Sequence, residues 1–157
     1  MKNKVYIAYG SNLNLEQMKY RCPDSRVIGT AILQDYELEF RGVATIVPKK
    51  GSGVPVLLWS VPPQDEKSLD RYEGFPYLYR KEEYEIGLNG QKVTGMAYVM
   101  NNGHISAPSA GYLRIIAQGY HENQLDTAFL NRAVDNAVIQ QHSEEPEEID
   151  EFQMRLT

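Results

Sequence analysis

The sequence predicts an α+β fold, an antiparallel or mixed sheet curled towards a small barrel with α-helices packed outside it. Three observations carry this. Short β-branched and aromatic runs recur along the chain as far as Met100. Asn89-Gly90 lies between two such runs and marks a hairpin turn. After Pro108, two apolar stripes recur at helical spacing. Periodicity alone leaves a closed barrel and an open sheet as alternatives.

The elements follow in order. Residues 5–9 (VYIAY) form a strand that Gly10-Ser11-Asn12 stops. Residues 13–21 form a short helix with Leu15 and Met18 on one face, ended by Pro23. Residues 26–33, 36–40 and 44–47 are strands, the last two joined through Arg41-Gly42, and residues 48–53 (PKKGSG) form an exposed loop. The apolar run 56–61 is a central strand. Residues 62–72 form a helix, with prolines at its start, Asp65 and Glu66 in its first turn and Gly74 beyond its end. Residues 79–86 and 93–100 are the strands of the Asn-Gly hairpin. The two closing helices span 110–120, with Leu113, Ile116, Ala117 and Tyr120 on one stripe, and 126–140, with Asp126 as cap.

A chain of 157 residues is one domain. Residues 1–142 are assigned to it. Residues 143–157, SEEPEEIDEFQMRLT, form an acidic tail that is either disordered or a last short surface element. The net charge of −5 argues against nucleic acid as a partner. The single cysteine, Cys22, permits no internal disulfide, reads as a small packed residue, and fits a reducing compartment. The apolar run after Met1-Lys2-Asn3-Lys4 is too short for a signal peptide, and no stretch reaches the roughly 20 apolar residues of a membrane helix. A cytoplasmic protein acting on a small molecule, without a membrane, is the expectation. The oligomeric state is left open.

Two segments carry chemistry. In Tyr9-Gly10-Ser11-Asn12-Leu13 a strand ends on glycine, which is expected to leave backbone N–H groups uncovered for an anion. A helix starting at Leu13 or just after would add partial positive charge there. The competing reading is an ordinary strand-to-helix turn with Ser11 or Asn12 as cap. Glu73 closes the helix 62–72, where the dipole disfavours a carboxylate, and Tyr72, Phe75 and Tyr77 flank it. Both effects push its pKa up towards a value useful for proton transfer. A solvated surface glutamate is the alternative. Tyr112, three residues after Ser109, is either a ligand contact or a core aromatic with a wet tip. His104, His121 and His142 lack metal-ligand spacing, so no metal is expected. No phosphate-binding glycine motif is present, so no nucleotide cofactor is expected either.

Together these segments resemble one family. Tyr9-Gly10-Ser11-Asn12-Leu13 is similar to its N-terminal loop. Leu69-Asp70-x-x-Glu73-Gly74-Phe75-Pro76, with Tyr79 and Arg80 beyond it, is similar to its glutamate motif. Gly42-x-Ala44-Thr45-Ile46 and the strand of Trp59 lie between them. Pro108-Ser109-x-x-Tyr112-x-x-Ile115-x-x-x-Gly119-x-x-Glu122-Asn123 is similar to its C-terminal helix. The family is the γ-glutamylcyclotransferase/AIG2-like superfamily, and the resemblance runs from about Val5 to Leu130. It implies a small mixed β-barrel flanked by α-helices, no cofactor, and cyclisation of γ-glutamyl amides to 5-oxoproline. By motif, Glu73 is the general acid/base. Tyr9, Gly10, Ser11, Asn12, Leu13 and Tyr112 bind substrate, and Arg80 makes a structural ion pair. Three alternatives stay open: a γ-glutamylamine as substrate, a non-catalytic binding module for a γ-glutamyl or carboxylate metabolite, or an interaction protein recruiting through its acidic tail.

Overall fold

The structure, a computed structural model, describes residues 2–144. Residues 145–157, most of the expected acidic tail, lie outside the described residues, and the two that precede them belong to the last helix. Five strands form one sheet. They are β1 (Lys4–Ala8), β2 (Arg26–Arg41), β3 (Val43–Val61), β4 (Tyr79–Leu88) and β5 (Gln91–Met100), in the order β2-β3-β1-β5-β4. β1 lies antiparallel to β3 and parallel to β5, with Tyr6 opposite both Trp59 and Met96, so the sheet is mixed. Both flanks of β1 are paired, which buries Tyr6, Ile7 and Ala8 at the centre of the molecule.

The sheet curls without closing. Its outer strands, β2 and β4, share no hydrogen-bonded ladder among the described residues. They approach through side chains instead. Tyr36 meets Tyr84 edge to face with ring centroids 5.1 Å apart, and Leu88 covers the bare backbone of Gly29. The Asn89-Gly90 turn joins β4 to β5 with both residues at positive φ, as such a hairpin demands.

Two expectations are corrected here. Residues 26–33 and 36–40 are one strand, and residues 48–53 are not a loop but part of β3. Pairing passes from Tyr36↔Pro48 to Gln34↔Gly53, so residues 49–52 bulge opposite Asp35. Gly51, at φ +84°, donates its N–H to Asp35 Oδ1 at 3.0 Å, and Asp35 itself has φ 66°. Proline, lysine and glycine there bend a long ladder rather than end it. The apolar run 56–61 is central as expected, gripped by β1 on one side and β2 on the other.

The helices are α1 (Leu15–Arg21), α2 (Pro63–Glu73), α3 (Ala110–Glu122) and α4 (Thr127–Glu144). Asp126 Oδ1 accepts from the Ala128 N–H at 2.9 Å, the expected cap of α4. α2 ends in Gly74 at φ 65°, with Phe75 N–H bonded to Asp70 O, a left-handed cap that reverses the chain. α3 presses on the turn after β1. A Cβ at Gly119 would lie 2.7 Å from both the carbonyl carbon and Cβ of Leu13. Asn123 Nδ2 also donates to Leu13 O at 2.8 Å.

That contact generates a paired prediction. Gly119→Ala is expected to destabilise the fold by about 1–3 kcal/mol, since the obstruction is backbone and cannot swing aside. Gly111→Ala, earlier in α3 with nothing within 4 Å of its added methyl group, is expected to be neutral or slightly stabilising. Urea unfolding of the two variants checks the order.

Candidate active site

The site opens at the carboxyl end of β1. Ser11–Leu13 form one 3-10 turn, with Leu13 N–H bonded to Gly10 O at 3.0 Å and Asn14 N–H to Ser11 O at 3.1 Å. The N–H groups of Gly10, Ser11 and Asn12 donate to no protein acceptor among the described residues. Gly10 is not there for a left-handed backbone, since its φ is −123°. It is there for space: a Cβ would sit 3.3 Å from Ala44 Cβ and 3.5 Å from the Tyr112 hydroxyl.

The expected helix charge is directed elsewhere. α1 begins at Leu15, not Leu13, and Asn14 is its cap rather than Ser11 or Asn12. Asn14 Oδ1 accepts from Gln17 N–H at 3.1 Å, and Glu122 of α3 accepts from Leu15 N–H at 3.1 Å. Two of the first three amides of α1, those of Leu15 and Gln17, are therefore already occupied by protein oxygens.

Asn12 ties the turn down. Its side chain donates to the Tyr6 hydroxyl at 2.9 Å and accepts from the Arg21 guanidinium. Its carbonyl accepts from Trp59 Nε1 at 3.2 Å. Leu13 is fully buried against α3 and points away from the cavity. Ser11 Oγ lies 2.9 Å from the Tyr72 hydroxyl, and the Arg21 guanidinium stacks on the Tyr72 ring 3.4 Å from its centroid.

Around this turn is a cavity of about 190 Å³. Tyr6, Tyr9, Tyr72, Tyr79, Tyr98 and Tyr112 line it, with Gly10, Ser11, Asn12, Val43, Ala44, Leu78 and Glu73. Hydrogen-bond accounting sorts the phenols. Tyr9 donates to Tyr98 O, Tyr79 to Ala44 O at 2.7 Å, and Tyr98 to Asp70 Oδ1 at 2.6 Å. Their protons are committed. Tyr6 accepts from Asn12 and Tyr112 accepts from Ala44 N–H at 3.1 Å, which leaves both phenol protons available. Burial raises the pKa of Tyr6, Tyr9, Tyr79, Tyr98 and Tyr112 far above any working pH, so they act as neutral donors.

Glu73 is the one ionisable carboxyl on the cavity wall. It is partly buried and has neither an ion pair nor a hydrogen-bond partner among the described residues. Burial lifts its pKa to about 7, against a weaker downward pull from Arg21. The expected flanking is only half right. Tyr72 walls the cavity, but Gly74 turns the chain so that Tyr77 is 88% exposed and Phe75 lies beneath the Lys81 ammonium, 4.3 Å from its centroid. Leu78 takes their place beside Glu73. Arg80 faces away, paired with Glu82 at 2.7 Å.

Residues 6–122 match the sequence family described as gamma-glutamyl cyclotransferase, AIG2-like. The chain belongs to this family. A γ-glutamylcyclotransferase from Homo sapiens is 33% identical over 135 residues, covering 77% of this chain and 72% of that protein. One from Bos taurus is 32% identical, covering 92% and 86%. Among solved structures, one titled gamma-glutamyl cyclotransferase superposes with a TM-score of 0.77 at 29% identity over 84% of this chain and 86% of that one. An AIG2-like protein from Mus musculus, at 16% identity and a TM-score of 0.57, shares the fold. The chain is an enzyme of the γ-glutamylcyclotransferase kind.

Within this AIG2-like domain, the structure gathers Tyr9, Gly10, Ser11, Asn12, Glu73 and Tyr112 around one cavity, although they come from the turn after β1, from α2 and from α3. Leu13 alone stands back, serving through its backbone and its packing. Tyr6, Arg21, Val43, Ala44, Leu78, Tyr79 and Tyr98 were not singled out as site residues in the sequence. β1 is a continuous apolar run without alternation, so nothing local marks Tyr6, nor Arg21, whose role depends on α2 lying beside α1.

The Glu73 environment makes a stability prediction. Its folded pKa lies above the ordinary value of 4.5, so ionisation costs the fold stability. That cost is absent below about pH 4.5 and complete above about pH 7. Urea titrations of wild type and Glu73→Gln are expected to coincide near pH 4 and to separate by about 1–3 kcal/mol near pH 8, with the variant more stable. Equal stability near pH 8 would mean that Glu73 is well solvated.

Proposed function

We propose that this chain cyclises a γ-glutamyl amide, releasing 5-oxoproline and an amine or amino acid, with Glu73 as general acid/base. The observation that carries the reading is an unpartnered, partly buried carboxyl with a pKa of about 7 on the same cavity wall as three uncommitted backbone N–H groups. A carboxyl poised there holds substantial amounts of both forms near neutral pH, as a proton shuttle requires.

The chemistry is intramolecular. The substrate's α-amine attacks its own γ-carbonyl carbon and closes a five-membered ring, so orientation supplies much of the rate. The carbonyl electron pair moves onto oxygen, and the N–H groups of Gly10, Ser11 and Asn12 stabilise the oxyanion or hold the glutamyl carboxylate. Glu73 takes the proton that the attacking nitrogen loses and returns it to the departing nitrogen as the γ-carbon–nitrogen bond breaks. No water is consumed, and Glu73 ends in the state in which it began.

The cavity lining carries no lysine or arginine. On this reading the phenol protons of Tyr6 and Tyr112 meet the substrate's carboxylate as neutral donors, and Tyr9 walls the pocket. Leu13 supports the turn from behind. The site of action is taken to be the cytoplasm, where the buried Cys22 stays a thiol.

Release of 5-oxoproline from a panel of γ-glutamyl amino acids and γ-glutamylamines tests the reading. Glu73→Gln is expected to lower turnover by about 10²-fold or more while remaining folded. In the wild type, kcat/KM is expected to rise with pH through about 7, as the free carboxyl loses its proton. Turnover that survives the substitution removes Glu73 from the mechanism. Ligand binding without turnover in the wild type would make the chain a binding module.

A further inference from the structure

The mouth of the cavity is built differently from its floor. The floor carries Asn12, Ser11 and buried tyrosines. The mouth carries exposed apolar surface: Tyr72 is 44% exposed and Leu78 50%, yet both also line the cavity, with half-buried Val43. A cavity of about 190 Å³ is smaller than the roughly 300–1,000 Å³ that enclose a drug-sized ligand. It has room for the glutamyl half of a γ-glutamyl compound and not for the whole, so the departing half lies at the mouth.

We propose that Tyr72 and Leu78, with Val43, form a preformed subsite for the departing group, and that it selects γ-glutamyl compounds whose departing amine or amino acid carries a bulky hydrocarbon side chain. This rests on the cyclising reading above, and it adds the substrate class.

The subsite is rigid. Leu78 N–H bonds Gly74 O at 2.9 Å, and Asn101 N–H bonds Leu78 O at 3.0 Å. The Asn101 side chain also donates to Pro76 O and Tyr77 O, each at 2.8 Å. Tyr72 is held by the Arg21 stack and by its contact with Ser11. Exposed apolar surface fixed in place loses little freedom when covered, so its burial favours binding more fully. With Glu73 the only charged lining residue, an acidic departing group finds no counter-ion among the lining residues and faces a carboxyl. A hydrocarbon group over the mouth also shields Glu73 from water, which strengthens the electrostatics of the ring closure.

The test compares kcat/KM for γ-glutamyl-leucine and γ-glutamyl-phenylalanine with that for γ-glutamyl-glycine and γ-glutamyl-aspartate. The wild type is expected to prefer the hydrocarbon pair by about 10-fold or more. Leu78→Ser is expected to shrink that ratio by about 5- to 30-fold, mainly through KM, while Leu78→Met keeps it. Leu78→Lys is expected to gain on γ-glutamyl-aspartate relative to wild type, a gain that misfolding cannot produce. Ile139→Ser, on the exposed face of α4, is the control and is expected to leave the ratio unchanged. Equal kcat/KM on all four substrates, or a ratio that Leu78→Ser does not move, overturns the subsite and leaves the cyclising activity standing. A wild type that releases 5-oxoproline from none of them overturns both.

Discussion

The buried side chain of Asn12 is the joint on which both the fold and the cavity depend. It sits where β1 runs out of partners and the chain must turn inside the molecule. A buried turn there has polar groups that water cannot reach, and each must find a protein partner. Asn12 supplies three contacts at once, to Tyr6 of β1, Arg21 of α1 and Trp59 of β3. Those contacts hold the turn at the cavity, where the N–H groups of Gly10, Ser11 and Asn12 have no protein acceptor among the described residues. Gly119 of α3 and Asn123, which caps its end, brace the turn from the other side through Leu13.

The polarity of the cavity follows from the same economy. A pocket walled by charged groups would be costly to bury, and it would hold Glu73 ionised by pairing with it. Here the wall is phenolic. Tyrosine supplies a large apolar ring for packing and one hydroxyl for direction. Three of those hydroxyls, of Tyr9, Tyr79 and Tyr98, donate to the protein and fix the rings, while Tyr6 and Tyr112 only accept and keep a proton for another acceptor. Arg21 is the nearest cation that bears on Glu73, and its charge is shared among Asn12, Gln17 and the Tyr72 ring. Desolvation therefore outweighs attraction at the carboxyl, which leaves it titrating near neutrality.

A network of ion pairs runs along α2 through residues that do not line the cavity. Lys81 bridges Glu66 and Asp70, at 2.7 and 2.9 Å, and Lys4 joins Glu66 at 3.0 Å. This network holds α2 against β1 and β4, and with it the register of Glu73 at the end of the helix. Tyr98 connects the two regions, its hydroxyl on Asp70 and its ring on the cavity wall. The position of Glu73 is thus set by ion pairs that do not themselves reach the cavity.

By itself, the sequence determined the parts whose signals are local. The hairpin at Asn89-Gly90, the prolines and glycine that bracket α2, the Asp126 cap and the apolar stripes of α3 and α4 all act within a few residues. The motifs around Tyr9-Gly10-Ser11-Asn12, Glu73 and Tyr112 are short as well, and it was their resemblance to a family that made them candidate site residues. Tertiary structure decided what depends on distant partners. Residues 48–53 carry turn chemistry but stay in the sheet, because β2 offers a ladder longer than the bulge interrupts. Asn14 displaced Ser11 and Asn12 as helix cap, because the Asn12 side chain was claimed by Tyr6 and Arg21. Tyr6 and Leu78 entered the cavity wall, and Phe75 and Tyr77 left it, through packing and a single left-handed glycine. Local propensities act over one turn of chain, whereas burial is settled only when the whole sheet has curled, and it is burial that sets the pKa of Glu73.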